Sequence, residues 1–294
     1  MSEKLNAENL FEDLLKRPDI DKAYAMVKPT DSWYETIMKV HNALHEIQQL
    51  PHEVMQLTSH DQLQLTGIYY PGNPDSHVTV ICIHGYTSHA EREWAFPGLF
   101  YLSLGYNVLI PYQRAHGPSE GKYISFGALE QTDMQGWVKK INQRNPQDRI
   151  IIHGLSMGGG IALTLVDKPM KNVKGIISDA PCISPKKLLQ NIAKDKFTQN
   201  ADIVASYVID RFEKEFGADI NDLEAMDHVA NSKYPLLLSA GSKENMDEDF
   251  ETLQKVHPHP TDIIILPGCD HGNGMYKQTK LYQTAIREFL DSVL

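Results

Sequence analysis

Hydrophobic positions along the chain change their rhythm near residue 54. Before that point the pattern is helical: Trp33, Ile37, His41, Leu44 and Ile47 recur at three- and four-residue steps until Pro51 stops them, and Ser32 and Glu35 have the spacing of a capping box at the start. This predicts one amphipathic helix. Its polar face lacks the Lys/Arg richness of a membrane-surface helix, so docking on the chain's own core is expected. Past that point, apolar runs of strand length take over. Val54–Thr58 and Leu63–Tyr70 read as a hairpin, followed by Val78–Ile83, Tyr106–Tyr112, Arg149–His153, Val173–Ser178, Pro235–Ala240 and Thr261–Leu266. Helix-length segments lie between most of them, at Glu91–Leu104, Phe126–Arg144, Met157–Val166 and Asp247–Val256, and Lys277–Val293 closes the chain. Strands apolar along their whole length and alternating with helices predict a mostly parallel eight-stranded sheet covered by helices on both faces.

One interval breaks the alternation. Over fifty residues separate Asp179 from Pro235, too many for an ordinary crossover. Within them Ile203, Val204, Tyr207, Val208, Phe212 and Phe216 repeat at helical spacing, and Gly217 follows as a C-cap. The expectation is a small helical lid inserted at the carboxyl edge of the sheet, where ligands bind in open α/β folds. The predicted organisation is an N-terminal helical segment, 1–53, packed on the core; a core formed by 54–182 and 233–294; and a lid insertion, 183–232.

Composition narrows the picture. With 41% hydrophobic and 22% charged residues in 294, one main core needs neither metal nor disulfide to stabilise it. A net charge of −10 argues against nucleic acid and anionic membrane surfaces as partners. Met1 to Asp13 contains no continuous apolar stretch of the kind a secretory signal needs, and no later segment reaches membrane-spanning length, so a cytoplasmic location is expected. Cys82, Cys182 and Cys269 match no zinc or redox spacing and read as reduced thiols, small buried residues in two cases. Oligomeric state is not legible.

The chemistry concentrates at Gly154-Leu155-Ser156-Met157-Gly158, followed by Gly159 and Gly160, which joins a predicted strand to a predicted helix. Gly-x-Ser-x-Gly in that context is a nucleophile elbow: glycines on either side of the serine allow a turn too tight for side chains, and the turn projects the hydroxyl beside a helix N-terminus. A serine hydroxyl is a weak nucleophile and needs a base held in one tautomer by a third group. After the last substantial strands begin, the available histidines are His257, His259 and His271, and the loop after Pro235–Ala240 offers Glu244, Asp247, Glu248 and Asp249. Asp179, at the end of an earlier strand, is a further carboxylate to weigh.

With Ile83-His84-Gly85-Tyr86, the run Gln113 to Gly121, the elbow, and Gly268-Cys269-Asp270-His271-Gly272, the chain resembles the α/β-hydrolase superfamily over roughly 54–294. Within it, the likeness is to bacterial esterases and to serine-aminopeptidase-like and prolyl-oligopeptidase-like hydrolases. Ala115-His116-Gly117 departs from the family's Gly-His-Gly. The resemblance implies the α/β-hydrolase fold, with Ser156 as nucleophile, His271 as base and Glu244, three residues after Gly241, as acid in place of the more usual Asp. It makes the backbone N–H groups of Tyr86 and Met157 the oxyanion hole, with Tyr86 adding its ring to an acyl pocket, and it leaves His84 and His116 as structural hydrogen-bonders. Asp247, Glu248 and Asp249 then read as the acidic first turn of a helix. Hydrolysis of a small carboxylic ester through an acyl-enzyme is the expected activity, with no cofactor and no metal. Peptide, amide, lactone and thioester substrates use the same machinery, acyl transfer to an acceptor other than water remains open, and a non-catalytic binding protein on this fold is the rival class.

Overall fold

The computed structural model describes residues 3–19 and 33–294. In chain order the elements are α1 (Glu3–Leu15), α2 (Tyr34–Gln48), β1 (Glu53–Thr58), β2 (Gln64–Tyr70), β3 (Val78–Ile83), α3 (Ala90–Ser103), β4 (Asn107–Pro111), α4 (Glu130–Arg144), β5 (Arg149–Leu155), α5 (Met157–Thr164), β6 (Val173–Asp179), α6 (Pro185–Lys196), α7 (Ala201–Phe216), a 3₁₀ turn at Ile220–Leu223, α8 (Ala225–Ala230), β7 (Leu236–Gly241), α9 (Asp247–Val256), β8 (Thr261–Leu266), α10 (Gly274–Lys277) and α11 (Thr279–Val293).

The strands form one sheet in the order β1-β2-β4-β3-β5-β6-β7-β8. The hairpin pairs antiparallel, Glu53 facing Tyr69, and β2 runs antiparallel to β4, while every pair from β4 to β8 is parallel. Central strands β3 and β5 are buried along nearly their whole length because helices cover both faces. Two apolar clusters result. One gathers α1, α4, α5 and the helices between β6 and β7; the other gathers α2, α3 and α11 on the opposite face.

Two features of the N-terminal region refine the sequence reading. Residues 3–15 form helix α1, inside the expected helical segment 1–53 but not assigned as a separate helix. Ala7, Leu10, Phe11 and Leu15 make its buried stripe, and Phe11 stacks against Phe216 of α7 with centroids 6.4 Å apart. In α2 the buried stripe is Thr36, Val40, Ala43 and Ile47; Ile47 is as expected, the other three lie one position before Ile37, His41 and Leu44, and His41 is exposed. Ser32 of the expected capping box lies outside the described residues, and the cap position at Trp33 makes no side-chain hydrogen bond.

Helices α6, α7 and α8 occupy the long interval between β6 and β7. α7 packs against α1 and ends at Gly217, whose φ of 65° is the left-handed cap that glycine favours. Among the described residues, none of this interval lines the cavity beside Ser156; helix α2 does instead.

Candidate active site

The parallel strands deliver their carboxyl ends to one edge, and four connections meet there: β3–α3, β5–α5, β7–α9 and β8–α10. Ser156 stands between β5 and α5 with φ 58° and ψ −117°, a conformation that a non-glycine residue adopts only when its surroundings impose it. The surroundings are specific. The Ser156 N–H donates to the Asp179 carbonyl at 2.8 Å, and its own carbonyl accepts from Gly160 at 3.0 Å and Cys182 at 3.1 Å. A Cβ on Gly154 would fall on the Gly158 carbonyl, and one on Gly158 would fall on the Ile83 carbonyl, so the turn closes only with glycine at both places.

His271 and Glu244 arrive on two stitched loops. Ser242 N–H donates to the Leu266 carbonyl at 3.0 Å and Lys243 N–H to the Cys269 carbonyl at 3.1 Å, which holds the loop after β7 against the loop after β8. His271 Nε2 lies 2.8 Å from Ser156 Oγ, and Nδ1 lies 2.5 Å from Glu244 Oε2. The other oxygen of Glu244 accepts the Gly241 N–H at 2.7 Å, fixing the carboxylate's direction. Hydrogen bonding to Glu244 is the main cause that raises the pKa of His271. With Nδ1–H given to a carboxylate, Nε2 is left as the acceptor of the serine proton. The three residues form a line able to remove a proton from Ser156 and to hold the resulting imidazolium.

The other carboxylates considered in the loop after β7 stand apart from this line. Asp247, Glu248 and Asp249 occupy the first turn of α9. Asp179 accepts from Ser239 Oγ at 3.0 Å and Tyr282 Oη at 2.8 Å, and burial pushes its carboxyl up to about 6. Tyr282 continues to His153 Nε2 at 3.2 Å, and His153 Nδ1 to Tyr101 Oη at 2.7 Å, so Asp179 ends a buried polar chain beneath the site.

Tyr86 follows β3, and Met157 opens α5, where the first N–H groups of a helix have no partner of their own. Neither N–H is taken by another hydrogen bond among the described residues. The Tyr86 ring stacks on Phe126 at 5.6 Å, and its hydroxyl donates to the Leu14 carbonyl at 2.6 Å, so α1 helps to hold it. His84 is fully buried in one tautomer, accepting from Gln113 N–H at 3.1 Å and donating to the Gly85 carbonyl at 2.8 Å. His116 donates to the Arg114 carbonyl at 3.0 Å, and burial holds its pKa down to about 4. Ala115, the departure from the family glycine, sits at φ 61°, where glycine would meet no Cβ penalty.

A cavity of about 390 Å³ opens beside Ser156 and His271, within the range of small-molecule sites. Trp33 at the cap of α2 and Ile37 and Val40 within it, with Tyr86, Leu155 and Tyr276, give it largely apolar walls. Glu93, from the first turn of α3, is its unanticipated member. The carboxyl accepts the Gly85 N–H at 2.7 Å and is raised to about 7, mainly by burial. In the sequence it is indistinguishable from Glu91, another acid at a helix start. Three free cysteines stand outside the constellation, Cys82 and Cys269 buried. His60, Asp61 and Asp133 cluster elsewhere, but Arg114 engages both carboxylates, at 2.9 Å and 2.7 Å, filling the place of a cation.

Comparison with known proteins places this architecture among others. The family model described as serine aminopeptidase, S33, matches residues 74–211. The uncharacterized protein YqkD of Bacillus subtilis is 27% identical over 239 residues, 76% of this chain and 75% of that protein. The solved structure of the esterase Pf2001 of Pyrococcus furiosus superposes with a TM-score of 0.66 at 25% identity, covering 84% of this chain and 95% of that one. Est1E of Butyrivibrio proteoclasticus, solved with ferulic acid bound, shares the fold with a TM-score of 0.62 at 17% identity, covering 81% of this chain and 98% of its own. No helix among the described residues is long and apolar enough to cross a membrane.

Proposed function

The chain belongs to the α/β-hydrolase superfamily, and from that premise we propose that it is a serine hydrolase that cleaves small carboxylic esters. The observation that carries the reading is the line Glu244, His271, Ser156, with contacts of 2.5 and 2.8 Å. In this proposal His271 Nε2 takes the Ser156 proton as Oγ attacks the ester carbonyl. The tetrahedral oxyanion rests on the N–H groups of Tyr86 and Met157. His271 then gives its proton to the departing alkoxide, leaving an acyl-Ser156. A water attacks by the same route and releases the acid, which restores the serine.

The cavity supports a small acyl or alcohol group. Its volume of about 390 Å³ and its walls of Ile37, Val40, Tyr86 and Leu155 favour a short apolar moiety over a polymer. The esterase Pf2001 adds weight to an ester over a peptide.

The test is a fluorophosphonate probe together with p-nitrophenyl esters of graded acyl length, set beside amide and thioester analogues. Covalent labelling at Ser156 with fastest turnover on short esters is the expected outcome. Absence of both labelling and turnover in folded protein would favour the binding-protein alternative, and preference for the amide or thioester would change the substrate class.

A further inference from the structure

The proposed oxyanion donor Tyr86 sits on a turn with no regular secondary structure, and oxyanion stabilisation depends on donors that are fixed before the charge appears. Two side chains take hold of the residue before it. His84 Nδ1 donates to the Gly85 carbonyl at 2.8 Å, and Glu93 accepts the Gly85 N–H at 2.7 Å. Because a peptide is planar, with its C=O and N–H pointing opposite ways, holding the Gly85 carbonyl also aims the Tyr86 N–H. Holding the Gly85 N–H fixes the preceding peptide, and with it the rotation about Gly85, a residue with no side chain of its own to restrict it. We propose that Glu93 is a positioning residue of the catalytic site, which locks the Gly85–Tyr86 turn so that the Tyr86 N–H faces the oxyanion. This rests on the serine hydrolase reading above.

The packing around the turn leaves little room for another arrangement. A Cβ placed on Gly85 would lie 3.3 Å from Ser156 Cβ and 3.4 Å from Glu93 Oε2, so nucleophile, turn and carboxyl are in contiguous contact. Glu93 is itself anchored. Ser88 hydrogen-bonds to its carboxyl, Tyr276 Oη donates to its main-chain carbonyl at 3.2 Å, and the next residue, Trp94, is fully buried in the core.

A permanent negative charge at this place would oppose the forming oxyanion. Burial, with Asp179 adding to it, raises the carboxyl to about 7, against the pull of Ser88, the Gly85 N–H and His271. Near neutrality the group is therefore charged only in part, and what the turn requires of it is an acceptor oxygen. Charge and acceptor can be separated by substitution. Glu93→Gln keeps an oxygen at the same reach and removes the charge; Glu93→Asp keeps the charge and withdraws the oxygen by one methylene.

The experiment measures kcat and KM of Glu93→Gln, Glu93→Asp and Glu93→Ala on p-nitrophenyl acetate. It also measures the fluorophosphonate labelling rate per titrated site, with Ser156→Ala as control. Loss of one oxyanion donor costs roughly 10²–10³ in kcat, and a loosened donor less. Glu93→Ala and Glu93→Asp should therefore lose about 10–100-fold in kcat, with KM within about threefold and labelling slowed in parallel. Glu93→Gln should stay within about fivefold of wild type. Should Glu93→Ala fail to fold, the Gln and Asp pair decides alone. An active Asp variant beside an impaired Gln variant overturns the proposal, as does wild-type kcat in the Ala variant. Failure of the underlying reading is separate: it would appear as residual turnover in Ser156→Ala, whatever the Glu93 variants do.

Discussion

Glu244→Gln is the substitution that most directly probes the proposed proton path, because the structure gives this carboxylate two duties, both as an acceptor. One oxygen receives the Gly241 N–H at 2.7 Å and the other faces His271 Nδ1 at 2.5 Å. A glutamine amide has one acceptor and one donor. If its oxygen stays on His271, its NH₂ confronts the Gly241 N–H, donor against donor. If it flips, NH₂ meets Nδ1 and drives the ring proton to Nε2, the atom that must accept from Ser156. Either arrangement also removes the charge that stabilises the imidazolium. The expected loss in kcat is about 10³–10⁴-fold, by analogy with the amide replacement of a triad acid, or about 4–5.5 kcal/mol of barrier. KM should change little. The hydrogen bond to Glu244 is the first cause of the raised pKa of His271, and the base works when neutral. The acid limb of kcat/KM should therefore move to lower pH in the variant. Rates on p-nitrophenyl acetate from pH 5 to 9, normalised by fluorophosphonate active-site titration, report both quantities. A loss below tenfold with an unmoved acid limb would refute the assignment.

Ser156→Ala should abolish turnover and labelling with folding intact, and Ser156→Ala/His271→Ala should be little worse than either single change, since the two act as a unit; additive losses in steady-state kinetics would point to another base. Asp247→Asn should leave kcat unchanged and cost a few tenths of a kcal/mol in urea unfolding, the loss of one favourable charge at a helix N-terminus. Asp179→Asn should keep kcat within about tenfold, because its carboxyl serves Ser239 and Tyr282 and not His271; a collapse would show that the acid is Asp179. The folded carboxyl of Asp179 is raised to about 6, so in wild type its contribution to stability falls as pH rises from about 4 to 6. The stability difference should then move in favour of the Asn variant over that window in pH-dependent urea unfolding. Gly158→Ala should lose about 3 kcal/mol or more in the same assay, since its Cβ would overlap the Ile83 carbonyl.

The local backbone geometry around Ser156 was readable from the chain alone. The elbow declares itself because a strand, a serine at φ 58° and glycines that admit no Cβ form one contiguous segment. The parallel sheet was legible for a similar reason: β3 and β5 are buried on both faces, which leaves continuous apolar runs in the sequence. Glu244 was only half legible. The residues alone left four neighbouring acids open, and the family resemblance, with its three-residue step from Gly241, favoured Glu244. What distinguishes it physically is a loop stitched through Lys243 and Cys269 to the loop that carries His271, 27 residues from Glu244. Such long-range stitching leaves no periodic trace.

The N-terminal helices show a deeper ambiguity. Trp33, Ile37, His41, Leu44 and Ile47 predicted one buried stripe, while α2 buries Thr36, Val40, Ala43 and Ile47. The two sets share Ile47 and otherwise occupy neighbouring positions with different destinations. Val40 and Ile47 enter the core beside α3, whereas Trp33 and Ile37 line the cavity next to Ser156 and stay partly exposed. Hydropathy records only that a side chain is apolar, and the wall of a small-molecule pocket is built from apolar side chains as a packed interior is. The same reasoning explains why the lid expectation fell on α7. Its stripe at Val204, Val208 and Phe212 is apolar, but it is satisfied by α1, a helix whose own stripe was too sparse to be noticed. Amphipathicity states that a helix has a partner; only the assembled chain states which surface that partner is, and here the assembly gives the wall beside Ser156 to α2.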